Sequence, residues 1–508
     1  MRNATDTTSG RPPGSGSLRL SKSRFTTGLQ CYRQLWWQAH EPDAPELVAD
    51  AAQRAIFDQG SEVGRVARER VPGGVLIDFP YRALAERVEA TRIALESGAP
   101  AIYEASFIAD DTFAAVDILE RVPGGWALIE VKSTTKPKRE HLPDIAVQLH
   151  VVLQSGLTVV RAELMHLNRA CAYPDLADLF ARVDVTHEVE PLLAEVPAEI
   201  GRQLAMLRNP LPDVPIGRHC DEPYTCPFKS RCWPELPEHH ISTLYYVGNR
   251  RWELEAQGVT VITDLPEDFP LQPQAERQRR AIRAGAMVVE PGLGPALAAL
   301  AGPLAIVDFE TVAPAIPVWN GCHPYDPVPV QFSCHAQDGR GGWIHSEWIA
   351  DGPEDPRPEL IRRLATACGG ARTILAYYAD FERQCLKLVA EALPELREQA
   401  DGILARLADA LPLVRDHVYH LGFGGSFSLK AVLPALAPDL RYDGLEIADG
   451  MAASRELQRV LLDGGTLPPA ERERLRESLR RYCELDTWGV VRLLERLEDL
   501  ARGAPPGS

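Results

Sequence analysis

TFAAVDILERVPGGWALIEVKS, residues 112–133, holds two β-like runs on either side of Val122-Pro123-Gly124-Gly125. Pro followed by Gly suits the two central positions of a type II turn, where the second residue needs a positive φ. If that turn closes a hairpin, Val122 faces Gly125, and counting outward sets Asp117 opposite Glu130. Lys132, two residues further on, shares their face because side chains alternate along a strand. Two carboxylates and an ammonium then converge. Carboxylates of this kind can hold a cation that activates water and polarises a phosphoryl group, while a lysine orients the nucleophile or offsets developing charge. By spacing alone, the commoner explanation is an exposed hairpin face with an ordinary cross-strand ion pair.

Working outward, Ser21 to Glu41 reads as one capped helix containing Cys31, Trp36 and Trp37, and residues 46–98 read as helical with an interruption at Pro72 to Gly74. YEASFIA, TFAAVDILERV and WALIEVKS give three consecutive strands, followed by a helix at Ile145 to Gln154 and a strand near Thr158 to Leu167. Pro210 to Pro237 is dense in Pro and Cys, so it is a linker or a segment held by ligands. Residues 241–300 read as helical with a turn at Gly258. A second α/β pattern begins at LAIVDFET, Leu304 to Thr311, and continues through apolar segments at Val328 to His335, Thr373 to Tyr378 and Leu411 to Val414. It ends on a long amphipathic helix from about Glu471 to Leu500.

At 508 residues the chain exceeds the size at which one core keeps growing, so two or three domains are expected. Hydrophobic content of 45% and charged content of 25% are ordinary globular values. No run of eighteen apolar residues suggests a membrane span, and Met1 to Ser17 is polar, which reads as a disordered tail on a cytoplasmic protein. The net charge of −17 opposes broad nonspecific binding to nucleic acid. Carboxylate sites neutralised by divalent cations soften that objection. Local basic clusters survive, including Arg19, Lys22 and Arg24, and Lys132, Lys136, Lys138 and Arg139.

Ten cysteines in a chain assigned to a reducing compartment are not a disulfide framework. Cys171, Cys322, Cys334, Cys368, Cys385 and Cys483 are scattered and read as small core residues. Cys220, Cys226 and Cys232, each separated by five residues in HCDEPYTCPFKSRCW, are not scattered. A loop without its own core gains much from a ligated metal, and Cys31 is a candidate fourth ligand. Farther on, Asp308 and Glu310 lie at i and i+2 of a buried strand, so they point to one side. Burying two charges there costs several kcal/mol, of order, unless a divalent metal pair compensates. Tyr482 and Asp486, at i and i+4 on the last helix, share a face.

The series Glu104, Asp117, Glu130-Val131-Lys132 and Gln148 resembles the PD-(D/E)XK nuclease core, in particular its RecB-like branch. The resemblance implies Mg²⁺ or Mn²⁺ ligands at Asp117 and Glu130, a catalytic Lys132, and a positioning role for Gln148, with Glu104 as a possible addition. The helix motif usually reads Gln-x-x-x-Tyr, and Val152 stands in the Tyr place. Members of that branch carry one cysteine before the core and three after it around a four-iron four-sulfur cluster, which implies the same for Cys31, Cys220, Cys226 and Cys232. Zinc, with His219, His239 or His240, is the alternative.

The second set resembles DnaQ-like exonucleases of RNase H-type fold. The resemblance implies metal ligands at Asp308, Glu310, Glu382 and Asp486 and a catalytic Tyr482. Phe381-Glu382 stands where the motif reads Asn-x-x-Phe-Asp, with Tyr378 replacing Asn, Glu replacing Asp, and Asp380 as a rival ligand. Asp409 and Ser428-Leu429-Lys430 also look like recurrent features of the branch. The order of parts resembles an uncharacterised bacterial family of fused nucleases.

The expected organisation is α/β: a tail at 1–17, a RecB-like PD-(D/E)XK restriction-endonuclease-like domain at 18–238, a helical connector at 239–300, a DnaQ-like domain at 301–502, and a tail at 503–508. The expected activity is metal-dependent nuclease action at two sites, on DNA rather than RNA, in repair, recombination or defence. The alternatives are a nucleic-acid-binding scaffold with degenerate sites and an RNase.

Overall fold

The computed structural model describes residues 19–440, 444–447, 449–462 and 467–503, so the expected tail at Met1 to Ser17 lies outside the described residues. The chain is a mixed α/β protein that divides into two compact units. Met1–Ala49, Gly60–His166 and Phe180–Cys232 form the first, and Asp50–Gln59, Leu167–Leu179 and Trp233–Ser508 the second. Among the described residues no helix is long and apolar enough to cross a membrane.

The first unit is built on β1 (Leu20–Ser21), β2 (Val75–Leu76), β3 (Ala101–Ala109), β4 (Thr112–Val122), β5 (Gly125–Lys132), β6 (Val159–Leu167) and β7 (Phe180–Asp184). They form one sheet in the order β2-β3-β4-β5-β6-β7, with β1 pairing β4. Val122 pairs with Gly125 and Ile118 with Ile129. Gly124 takes φ 87°, the left-handed value the type II turn demands. A side chain at Gly125 would meet the Thr158 carbonyl oxygen at 2.5 Å, so glycine lets β6 approach the turn. The helix Leu142–Gln154 is buried continuously from Ile145 to Val152. It lies in one core with Leu128 of the sheet and Ile200 of the helix Thr186–Leu207.

Local readings differ from expectation in three places. The segment 21–41 forms two helices, Lys22–Gln30 and Tyr32–His40, because Cys31 between them is extended at φ −159°. Residues 46–98 contain helices Ala51–Arg68 and Leu84–Glu96, and the interruption between them supplies β2, which pairs in parallel with Ile102 and Tyr103. Leu411 to Val414 is part of a short helix, and the strand lies just before it.

The second unit contains β8 (Val288–Val289), β9 (Leu304–Val312), β10 (Val328–Gln337), β11 (Trp343–Ile349), β12 (Thr373–Ala376), β13 (Leu407–Asp409) and β14 (Val418–Tyr419). Five strands form a sheet in the order β11-β10-β9-β12-β13, and β14 pairs with β8. β10 is antiparallel to β9 and β11, while β12 is parallel to β9 and β13. β9 divides its side chains by parity. Ala305, Val307 and Phe309 pack with Leu360, Leu364, Leu386 and Val389 of two helices. Ile306 joins Val490, Leu493, Leu494 and Leu497 of the final helix, Pro469–Ala501. Asp308 and Glu310 share the parity of Ile306 and so face the final helix.

The segment expected as a connector belongs to the second unit. Ile241, Leu254, Ile262, Ala275 and Ile282 form a small core, with Leu421 packed against it. Gln278 donates from Nε2 to the Thr243 carbonyl at 2.8 Å. Gly425, at φ 83°, presses on that carbonyl so closely that a Cβ would lie 1.8 Å from it. Gly425→Ala should therefore lower stability by at least about 2 kcal/mol, from backbone strain and the clash together. Gly424→Ala, where φ is 56° but the space is open, should cost about 1 kcal/mol. Denaturant unfolding of the two variants checks this ranking.

Candidate functional site

In the first unit the β4–β5 ladder ends just before Asp117 and Glu130. There the Asp117 carboxylate accepts the Val131 N–H at 2.7 Å. Glu130 is 1% exposed. It receives Lys22 Nζ at 2.8 and 3.1 Å, Lys132 Nζ at 2.9 Å and Gln148 Nε2 at 2.7 Å. Lys132 also meets Asp144 at 2.6 Å. Burial would raise the Glu130 pKa, but the two ammonium groups and these hydrogen bonds outweigh it and hold the carboxyl well below its ordinary range. Asp117 is pushed up to about 7 by burial and by Glu130, against the pull of Lys22. Glu104 adds to that rise and stands near Arg87 at 3.5 Å and Arg68 at 3.8 Å. Its backbone sits at φ 59°, an uncommon strain for a glutamate within a strand. The structure thus brings Asp117, Glu130, Lys132, Gln148 and Glu104 together. Lys22 and Asp144 complete the group. Sequence reading counted Lys22 only in a basic cluster and passed over Asp144.

The cysteines Cys31, Cys220 and Cys232 of this unit lie within electrostatic reach of Cys226. Burial raises the Cys226 thiol to about 11, and the other three sulfurs add to the rise. Cys31 is likewise raised by burial, with contributions from Cys220 and Cys232. Free thiols gain nothing from such crowding, whereas thiolates gathered on a metal or cluster do. The Cys226 N–H donates to the Cys220 carbonyl at 2.9 Å, folding the loop back on itself. Gln30 donates to the carbonyls of His219 at 2.7 Å and Tyr224 at 2.6 Å, which ties the loop to the first helix. Tyr224 lies within electrostatic reach of Lys132, Glu140 and Asp144.

In the second unit Asp308 and Glu310 project from β9 toward the final helix, and Asp486 and Glu382 face them. Burial, then Asp486, Glu310 and Glu382 in turn, raises the Asp308 pKa well above its ordinary value. Glu310 is raised by burial, Asp486 and Glu382, with Lys430 pulling the other way. Glu382 is 3% exposed and is pushed up to about 7, mainly by burial. Its Oε2 is buried without a hydrogen-bond partner. Asp380 instead turns outward, its side chain 79% exposed beside Arg383. The first turn of the helix Asp380–Ala392 thus sends one acid inward and the other to solvent. Asp409 accepts the N–H groups of Tyr378 and Leu411, both at 2.9 Å, which makes it a clamp on the neighbouring loops. Cys483, read from sequence as a core residue, places its sulfur 3.6 Å from Asp308 Oδ2.

A cavity of about 480 Å³ opens over Asp308, Asp486 and Tyr482, walled by Tyr245, Tyr377 and Phe427. Lys430 also lines it and lies over the Tyr482 ring, 5.1 Å from its centre. Asp308 and Glu310 bring ligand oxygens within 4.8 Å of each other and of the Cys483 sulfur, and such hard oxygen donors suit a divalent cation of the magnesium or manganese class.

Residues 305–428 match the model of a domain of unknown function, DUF2779. That stretch carries Asp308, Glu310, Glu382 and Asp409 and stops before Tyr482 and Asp486. No curated protein matches the chain. Among solved structures, the crystal structure of SSO0001 is similar over 44% of this chain and 91% of its own, at 13% identity and a TM-score of 0.22.

The raised acids set a pH dependence. A carboxyl whose folded pKa exceeds its unfolded one binds more protons when folded, so stability falls as pH rises between the two values. Chelator-treated protein should lose stability from about pH 4 to pH 7. Glu382→Gln should remove on the order of 2 kcal/mol of that loss. Thermal unfolding across this range is the check; a slope unchanged in Glu382→Gln would contradict the buried, high-pKa assignment.

Proposed function

We propose that the chain is a metal-dependent nuclease, of PD-(D/E)XK-like architecture in the first unit and RNase H-like, DnaQ-type architecture in the second. The observation that carries this reading is the convergence of Asp308, Glu310, Glu382 and Asp486 beneath an aromatic-walled cavity. Glu310 and Glu382 are buried and Asp308 and Asp486 half-buried; carboxylates so placed disfavour one another's ionisation, and multivalent cations are the partners that reverse this. Held by these four residues, Mg²⁺ or Mn²⁺ would lower the pKa of a water and draw charge from a phosphate.

The chain's own groups do the rest. Tyr245, Tyr377 and Phe427 offer ring faces on which a nucleobase can stack, and such stacking is tolerant of sequence. Lys430 supplies positive charge at the cavity wall where a phosphate would enter. Tyr482, 3% exposed, lines the cavity with Asp308 and Asp486 and would orient a water at the carboxylates. An acidic protein of net charge −17 does not bind nucleic acid over a broad surface. A small cavity that takes a strand end fits that charge better, and it favours exonuclease or end-processing action on DNA in the cytoplasm.

In the first unit, Asp117 and Glu130 would hold the cation and Lys132 would steady the attacking oxygen. The four cysteines suit a four-iron four-sulfur cluster, with zinc as the alternative. A second reading, in which this unit only binds nucleic acid, has one observation behind it. Lys22 covers both oxygens of Glu130 and supplies the positive charge a cation would otherwise provide.

The test is cleavage of end-labelled single- and double-stranded DNA and RNA with Mg²⁺ or Mn²⁺, and with EDTA as control. Asp308→Asn and Glu382→Gln should each cut one activity by at least about 10²-fold, the scale of losing an electrostatic catalytic group. Asp380→Asn should be mild and Tyr482→Phe intermediate. Lys132→Ala should remove a separate activity and spare the first. If Lys132→Ala leaves every cleavage intact, the first unit is a binding module; if Asp308→Asn does so, the main reading fails.

Protein purified without oxygen should show the visible charge-transfer absorbance of an iron–sulfur centre. Cys31→Ala or Cys226→Ala should bleach it. Colourless protein with stoichiometric zinc would assign zinc instead.

A further inference from the structure

β10 and β11 form a hairpin in which His335 and His345 are directly paired across the ladder. Their rings stack with centres 4.5 Å apart. Glu484, on the final helix, faces them. One ligand atom from each of the three residues lies within 4.8 Å of the others. Sequence reading passed over all three.

One placement of protons gives each contact around this trio a donor. Thr487 Oγ1 donates back along its helix to the Glu484 carbonyl at 3.0 Å. In that placement Ser333 Oγ donates to the Thr487 oxygen at 2.7 Å, His335 Nδ1 donates to the same oxygen at 2.9 Å, and His345 Nε2 donates to Ser333 Oγ at 3.0 Å. The tautomers it selects keep lone pairs on His335 Nε2 and His345 Nδ1.

His345 Nδ1 is the atom that lies 3.6 Å from Glu484 Oε1. That gap is too long for a hydrogen bond. It is close to the roughly 3.3 Å edge between two ligands of one tetrahedral ion with bonds of about 2.0 Å. A serine and a threonine that hold the far ring nitrogens are the arrangement that orients metal-bound histidines.

We propose that His335, His345 and Glu484 bind a zinc-class transition ion, at a site distinct from the four carboxylates. The donor set of two imidazoles and one carboxylate suits zinc or a similar late first-row ion better than magnesium. His335 is 5% exposed, whereas the Glu484 side chain is 50% exposed, so the ion enters from the solvent side and keeps a water there. The ion pins the β10–β11 hairpin to the turn of helix that carries Tyr482 and Asp486. It therefore steadies one wall of the carboxylate site without belonging to it.

The experiment uses full-length protein stripped of divalent ions and titrated calorimetrically with Zn²⁺ alone. Wild type, His345→Gln, Glu484→Gln and Asp308→Asn are compared, and histidine-selective NMR follows the imidazoles. Asp308→Asn should keep one zinc equivalent that wild type binds, with two imidazole signals shifting on its addition. His345→Gln and Glu484→Gln should lose that equivalent or bind it more than about tenfold more weakly. Both variants lie on accessible positions, and metal-free melting curves matching wild type show that they are folded. Glu484→Gln alone decides the question if His345→Gln does not fold. If the variants bind as many equivalents as wild type with equal affinity, or if the equivalent disappears with Asp308→Asn, the proposal is overturned.

Discussion

Carboxylates brought close together out of water must be neutralised, and the two units meet that constraint in opposite ways. In the first, Glu130 is surrounded by two ammonium groups and an amide, all donors from the chain itself. In the second, Asp486 and Glu382 add to the burial that raises Asp308 and Glu310, with Lys430 as the opposing charge on Glu310. Burying such a set without a counter-charge costs more than an ordinary packing defect. The sheet of the second unit is built to hold it nonetheless. Strand parity, the start of one helix and the middle of another converge on the same point.

The parity of β9 explains how one strand serves both purposes. Its odd-numbered residues, Ala305, Val307 and Phe309, seal one face against two helices, so the strand is anchored by apolar burial. Its even-numbered residues can then carry charge toward the final helix. Ile306 continues the apolar contact on that face, and the change to Asp308 and Glu310 comes at the strand's carboxyl end. The ladder to β10 pairs Asp308 with Ser333 and Glu310 with Gln331, both polar. The same change of character thus occurs at the same level on two strands.

Much of this was legible in the sequence, and what was missed has physical reasons. The β4–β5 register followed from a Pro-Gly turn and alternation, because both are local. Lys22 could not be placed on Glu130, since 108 residues separate them and only the folded sheet brings them together. The break at Cys31 was hidden because the apolar periodicity of residues 21–41 continues across it. Helical geometry allows only one of Asp380 and Glu382 to face the site, and the place of Glu382 directly after Phe381 is what singles it out, while the role of Asp409 as a clamp on two N–H groups depends on the folded loops. His335 and His345 stayed invisible because β11 is partly exposed and reads as a weak strand, so no pairing partner suggested itself. The DUF2779 match covers the first three acids of the second set and leaves the fourth to the fold.

The break at Cys31 also joins the cysteine loop to the chemistry of the first unit. Lys22 begins the helix that Cys31 ends, so the placement of that helix decides whether a second ammonium, besides that of Lys132, reaches Glu130. The helix pair is held by the helix Thr186–Leu207, through Tyr32 to Glu199 at 2.9 Å and Gln203 to the Phe25 carbonyl at 3.0 Å, and also from the loop side. Gln30 bonds to His219 and Tyr224, and Arg33 bonds to the Pro212 carbonyl and to Asp213. Arg33 also reaches the Cys232 sulfur at 3.8 Å. The helix Lys22–Gln30, about 2.5 turns long, thus runs from the counter-ion of Glu130 to the cysteine that contacts with the loop hold in place.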